Sequence, residues 1–173
     1  MQKTKHPPET GADNKSTPVL ASEKPTPNPQ PPVPTLLAVD CGLKAGLALF
    51  ELSGKLLWYR SHNFGSRARL KKAIWQIMHD ISGLTHLVVE GGGNLAEVWL
   101  KEGTRRGLKV SLVQAVTWRK DLLLARQQRT GKQAKQVADE LAREIIEKSG
   151  AAKPTSLLHD AAEAILVGWW ALR

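Results

Sequence analysis

Two apolar stretches of this chain run straight into a carboxylate, and that pattern constrains the fold more than any other. The first is Leu36-Leu-Ala-Val-Asp40; the second is Thr85-His-Leu-Val-Val-Glu90. Short apolar runs bounded by glycine read as buried strands. An unpaired charge buried at a strand end costs several kcal/mol, so something must sit beside each acid to offset it. A glycine turn at Gly42 leads from Asp40 into a second apolar run, residues 46–52.

The remaining elements follow in order. Ser53-Gly54 is a tight turn into a third strand, 56–63, so strands one to three form an antiparallel meander. Ser66 caps a helix over 67–82 whose Leu70, Ala73, Ile74, Ile77, Met78 and Ile81 keep the helical period. Gly91-Gly-Gly93 breaks strand four, Asn94 caps a helix to Arg106, and Gly107 ends it. A fifth strand covers 109–116, and Thr117 caps a short helix, 118–124. Residues 125–131 read as a basic loop. A helix over 132–148 follows, with Ala134, Val137, Ala138, Leu141 and Ile145 as its buried stripe. Pro154-Thr-Ser156 opens a last helix, 157–172. A meander followed by alternating helices and strands predicts an α/β fold, with a five-stranded mixed sheet flanked by helices.

Residues 1–34 differ in kind. They hold nine of the ten prolines among Lys, Thr, Ser, Gln and Asn, a composition that cannot bury enough apolar surface to order itself. We expect a disordered tail over 1–34, able to bind another protein, and one folded domain over 35–173. The tail lacks the apolar core of a signal peptide and is a poor transit peptide, with no Arg and three acids. No apolar run reaches the roughly 18–20 residues of a membrane span. A lone cysteine, Cys41, excludes a disulfide framework and fits a reducing, cytoplasmic setting. The formal net charge of +9 falls almost wholly on the folded part and points to a polyanionic partner.

Two further acids complete the pattern. Asp160 and Glu163 lie three apart on the last helix and so share a face. Ala161, Ala162 and Ala164 keep that helix thin enough to lie close to the strand ends. One Asp after a strand serves equally as a turn former, and an acid pair on a helix serves equally as a solvated face. Four acids converging on two strand ends are a different matter, because they repel unless cations neutralise them. An all-oxygen set selects a hard ion, Mg²⁺ or Mn²⁺. Two such ions, about 4 Å apart, activate water and stabilise the leaving oxygen of a phosphodiester.

The set Asp40-x-Gly42, Glu90 and Asp160-Ala-Ala-Glu163-Ala resembles the RuvC-type Holliday junction resolvases of the RNase H-like superfamily, over about residues 36–172. The resemblance implies an RNase H-like fold and a homodimer of bacterial or phage type. It also implies Mg²⁺-dependent nicking of two strands of a four-way DNA junction, with Asp40, Glu90, Asp160 and Glu163 as catalytic metal ligands. Glu163 stands where the family commonly has Asp. In some members a histidine joins the cluster, which makes His159, beside Asp160, a candidate ligand; a capping or supporting histidine is the other reading. Gly131 to Lys135 is similar to a family segment that brings a lysine to the scissile phosphate, and Trp118-Arg119-Lys120 to the basic stretch after strand five. Arg105, Arg106, Arg119, Lys120, Arg126, Arg129, Lys132 and Lys135 crowd one half of the chain as candidate phosphate contacts.

One departure concerns the bulky wedge that such resolvases place after the strand-four acid. Here Gly91-Gly-Gly93 stands there, and Leu95 and Trp99 come later. A general RNase H-like nuclease of DNA or RNA, and a non-catalytic nucleic-acid-binding module, are the rival readings. An actin-like ATPase half shares the Asp-x-Gly start but needs a second phosphate-binding domain, for which the chain is too short.

Overall fold

A computed structural model describes residues 31–128 and 130–173. Most of the expected tail, residues 1–30, lies outside the described residues, as does Arg129. Pro34, the last residue of that expected tail, accepts a hydrogen bond from the Leu52 N–H at 3.1 Å.

Strands β1 (Thr35–Asp40), β2 (Lys44–Glu51) and β3 (Leu56–Asn63) form the antiparallel meander. Strands β4 (Leu84–Glu90) and β5 (Lys109–Val113) add on the other side of β1, both parallel to it. The order is β3-β2-β1-β4-β5, a five-stranded mixed sheet with β1 at its centre.

The alternation along β1 explains its central place. Leu37 and Val39 point into one core, Leu36 and Ala38 into the other, and all four are buried. A strand apolar on both faces must be covered on both. Helices α1 (Arg67–His79) and α2 (Gly93–Arg105) cover the Leu37 face with Leu70, Ile74 and Trp99. Helices α3 (Ala115–Leu122), α4 (Gly131–Ser149) and α5 (His159–Ala171) cover the Leu36 face with Trp118, Ile146 and Ile165. Each such fully buried large side chain contributes roughly 1.5–3 kcal/mol.

Helix α5 is buried at every position from Ala161 to Gly168 and packs directly on the sheet. It lies close because glycines stand on both sides of the contact. A Cβ placed on Gly46 of β2 would interpenetrate the Asp160 carbonyl oxygen and stand 2.8 Å from the Ala161 nitrogen. One placed on Gly168 would stand 2.7 Å from a Phe50 ring carbon and 3.0 Å from the Ala38 Cβ. The expected thin helix is thus matched by a thinned strand.

Element ends differ from expectation where no side-chain signal marks them. Ser66 caps α1 as expected, accepting from Arg69 N–H at 3.3 Å. Asn94 does not cap α2. That helix begins one residue before it, after Gly92 and without a side-chain cap, and Gly93 there takes φ 65°. Strand β5 stops at Val113, three residues early, and Gln114 rather than Thr117 precedes α3. The Gln114 side chain is instead committed to the Gly91 carbonyl, at 2.9 Å. Helix α4 starts at Gly131, one residue early, behind Thr130, whose hydroxyl accepts from Gln133 N–H. Its buried residues are Ala138, Ala142, Ile145 and Ile146, so the stripe is rotated away from Ala134. Helix α5 begins at His159 rather than 157, with Leu158 as an uncapped entry residue.

Candidate active site

One row of residues crosses the sheet and builds the site. In register they are Ser61 on β3, Gly46 on β2, Asp40 on β1, Glu90 on β4 and Val113 on β5. Parallel pairing sets Asp40 directly beside Glu90. Both share parity with the residues that face α5, namely Ala38 and Val88. Gly46 lets the first turn of α5 descend on this row, and Glu163 then reaches the same point from above.

One carboxylate oxygen each from Asp40, Glu90 and Glu163 lies within 4.8 Å of the other two. Glu90 and Glu163 are only 8 % exposed. Burial, a hydrogen bond to Glu90 and the charges of Glu163, Glu90 and Asp160 push the Asp40 carboxyl up from 3.8 to about 8. Carboxylates gathered this closely repel one another unless cations offset their charge. The donor set therefore fits a hard divalent ion: all ligands are oxygen, and the excess charge is negative. The neighbouring Cys41 thiol is pushed up to about 11 by burial and by Asp40 and Glu90, which disfavours its thiolate.

Asp160 and Glu163, paired in the sequence reading, have separate surroundings. Asp160 Oδ2 accepts from the Ser61 hydroxyl. Its Oδ1 is buried and has no hydrogen-bond partner among the described residues. Asp160 thus borders the trio without joining it. Glu163 Oε1 accepts from the Arg119 guanidinium, and His159 Nε2 stands 3.5 Å from the same oxygen. His159 is drawn to Glu163, and it is not one of the three close donors.

The basic residues divide between two places. Arg119, from the last turn of α3, is inside the cluster. Lys120, Lys132 and Lys135 are carried on α3 and α4, in the same helical layer as α5. Arg105 and Arg106 are not with the acids. They lie at the far end of α2, on the opposite face of the sheet, about 20 Å along that helix from its start beside Glu90. Both pair with Glu102, at 2.7 and 2.6 Å, and Arg106 also donates to the Trp75 carbonyl. Trp99 is fully buried and Leu95 half-buried, so neither projects as a wedge. A side chain on Gly92 or Gly93 would meet open space. Trp169 and Trp170 are half-buried against the α5 core, and Trp170 Nε1 donates to Asp121 at 2.7 Å.

Ser61, Gly46 and the Arg119–Glu163 pair escape the sequence reading. A glycine inside an apolar strand is a recognised mark of close backbone approach and is the signal available for Gly46. Ser61 carries no such mark; only the strand register puts it in the row.

No protein-family model matches the sequence, and no curated protein does. Solved structures do match. RuvC of T. thermophilus in complex with Holliday junction substrate superposes with a TM-score of 0.54 at 15% identity, covering 80% of this chain and 93% of that one. The fowlpox virus Holliday junction resolvase superposes with a TM-score of 0.57 at 13% identity, covering 80% of this chain and 97% of that one. At such identities the likeness is one of fold, and the chain has the fold of the RuvC-type Holliday junction resolvases.

Proposed function

We propose that this protein is a divalent-cation-dependent, structure-selective DNA endonuclease that resolves four-way junctions by paired nicks, acting as a homodimer. The observation that carries the reading is the meeting of Asp40, Glu90 and Glu163 oxygens within 4.8 Å at the ends of two parallel strands. The shared fold with two junction resolvases supports the substrate class.

In this reading Asp40, Glu90 and Glu163 hold Mg²⁺ or Mn²⁺, and Asp160 offers Oδ1 to a second ion. When bound, such ions supply an activated water and neutralise charge on the leaving oxygen. The protein's own groups do the rest. Gly46 and Ser61 set the position of α5 and the orientation of Asp160. Lys120, Lys132 and Lys135 hold backbone phosphates and fix the register of the DNA, without reading its bases. His159 steadies Glu163.

A second reading, a general RNase H-like nuclease of DNA or RNA, is favoured by one observation: only Gly91, Gly92 and Gly93 follow Glu90 where a wedge would stand. A cleavage panel separates the two. Four-way junctions, flaps, RNA–DNA hybrids and linear duplex are incubated with Mg²⁺, beside Asp40→Asn. Junction nicking that needs both Mg²⁺ and Asp40 is the expected result. Equal cleavage of linear duplex or hybrid favours the second reading, and cleavage persisting in EDTA removes both.

A further inference from the structure

The carboxylate cluster already contains one cation of its own. Arg119 is carried on α3, whose Trp118 is fully buried in the core beside α5. Its guanidinium lies over the Trp118 ring at 5.1 Å and donates to Glu163 Oε1. That carboxylate also belongs to the trio with Asp40 and Glu90. The Arg119 side chain is about one-third exposed (32%), whereas that of Glu163 is 10% exposed. The arginine therefore enters the cluster from the solvent side, along the side by which ions and DNA must also arrive.

We infer that Arg119 is the resident counter-ion of the metal-free site and that it exchanges with the incoming divalent cation at Glu163. This rests on the reading that the carboxylates hold such a cation. The guanidinium and the ion compete for one Oε1, because an oxygen committed to a charge-assisted hydrogen bond is a poorer ligand. Loading the site releases Arg119 from Glu163 and leaves a positive group, still tethered by Trp118, at the edge of the cluster. There it meets a phosphate of the bound strand. Ion binding and phosphate binding are then coupled through one side chain, and linkage requires each to strengthen the other. Arg119 is accordingly a positioning residue that acts through Glu163.

The test is metal affinity of the DNA-free protein, which a merely structural ion pair would not improve. Mg²⁺ and Mn²⁺ are titrated by calorimetry into the full chain, wild type and Arg119→Gln. Removing the competitor is expected to tighten metal binding on the order of tenfold, the worth of one hydrogen bond to a charged group. Arg119→Lys, which keeps the charge, is expected to stay near the wild-type affinity. Adding Glu163→Gln to the wild type and to Arg119→Gln should abolish the difference between them. Junction affinity measured with Ca²⁺ and with EDTA should show a metal-dependent gain in the wild type that shrinks in Arg119→Gln. Should Arg119→Gln fold poorly, Arg119→Met, which removes the charge and keeps an apolar stem on Trp118, takes its place in the comparison and in the Glu163→Gln cycle. Equal or weaker metal binding in Arg119→Gln overturns the exchange while leaving the nuclease reading intact. Failure of the wild type to bind either ion overturns the nuclease reading and the exchange together.

Discussion

Substitution Gly46→Ala tests whether the approach of α5 to the sheet governs the site. The added methyl would overlap the Asp160 carbonyl oxygen and stand 2.8 Å from the Ala161 nitrogen. Both are backbone atoms, so no rotamer change relieves the overlap. Ordinary contact distances of about 3.5 Å require the first turn of α5 to retreat by roughly 1–2 Å. Overpacking of this kind costs roughly 1–3 kcal/mol, and the rigidity of both partners argues for the upper end. For a domain of this size that is a fall in Tm of roughly 5–12 °C. The same retreat carries Asp160 and Glu163 away from Asp40 and Glu90. A misplacement of about 1 Å at reacting groups costs about 10²-fold in rate. Gly168→Ala is the control, because it presses on the Phe50 ring and Ala38 near the other end of α5. It should lower Tm less, since the atoms it meets belong to side chains and Ala favours a helix by about 1 kcal/mol over Gly, and it should leave nicking near wild type. Thermal unfolding followed by tryptophan fluorescence and Mg²⁺-dependent junction nicking give the two readouts. A Gly46→Ala protein with wild-type midpoint and wild-type nicking refutes the reasoning.

Three other outcomes are expected. Asp40 is pushed up to about 8 in the fold against an ordinary 3.8, so its contribution to metal-free stability is full below about pH 4 and is lost as pH rises through about 8. Thermal melts should therefore show a larger Mg²⁺-induced rise in Tm at about pH 8.5 than at about pH 5, and Asp40→Asn should flatten this dependence and abolish nicking. Ser61→Ala removes the partner of Asp160 Oδ2 from a carboxylate whose Oδ1 is already without one, so it should lower metal-free stability by about 1–3 kcal/mol and weaken binding of the ion next to Asp160; calorimetric titration with Mn²⁺ measures this. Replacing Lys132 and Lys135 together with Ala should reduce the salt slope of junction binding by about 2, whereas Arg105→Ala, already paired with Glu102, should leave it unchanged; fluorescence anisotropy across a salt series decides.

What the sequence discloses is set by the range of the physics involved. Strands ending on Asp40 and Glu90 are legible because an apolar run stopping at an acid is a local signal. Ser66 is legible for the same reason: its hydroxyl serves an amide three residues away. The start of α2 is not, because its entry depends on glycine backbone angles and no side chain marks it. The separate fates of Asp160 and Glu163 cannot be read from a spacing of three. One is met by Ser61, 99 positions earlier in the chain, and the other by Arg119, 44 positions earlier. Arg105 and Arg106 group with the other cations by nearness in sequence, while the parallel strands send their helix to the opposite face. Register, helix rotation and layer are properties of the assembled sheet.

The transverse row has a consequence for how the protein comes into being on the ribosome. The row supplies two of the three close acids, Asp40 and Glu90; the third, Glu163, rides on α5. A chain whose synthesis has reached only β5 has Asp40 and Glu90 in its sequence but neither Glu163 nor Arg119, which lie beyond that point. The three-acid cluster cannot exist on a nascent, truncated or clipped chain that lacks α5. A protein with this layout withholds its full set of carboxylates until translation has passed the last helix of the sheet's cover.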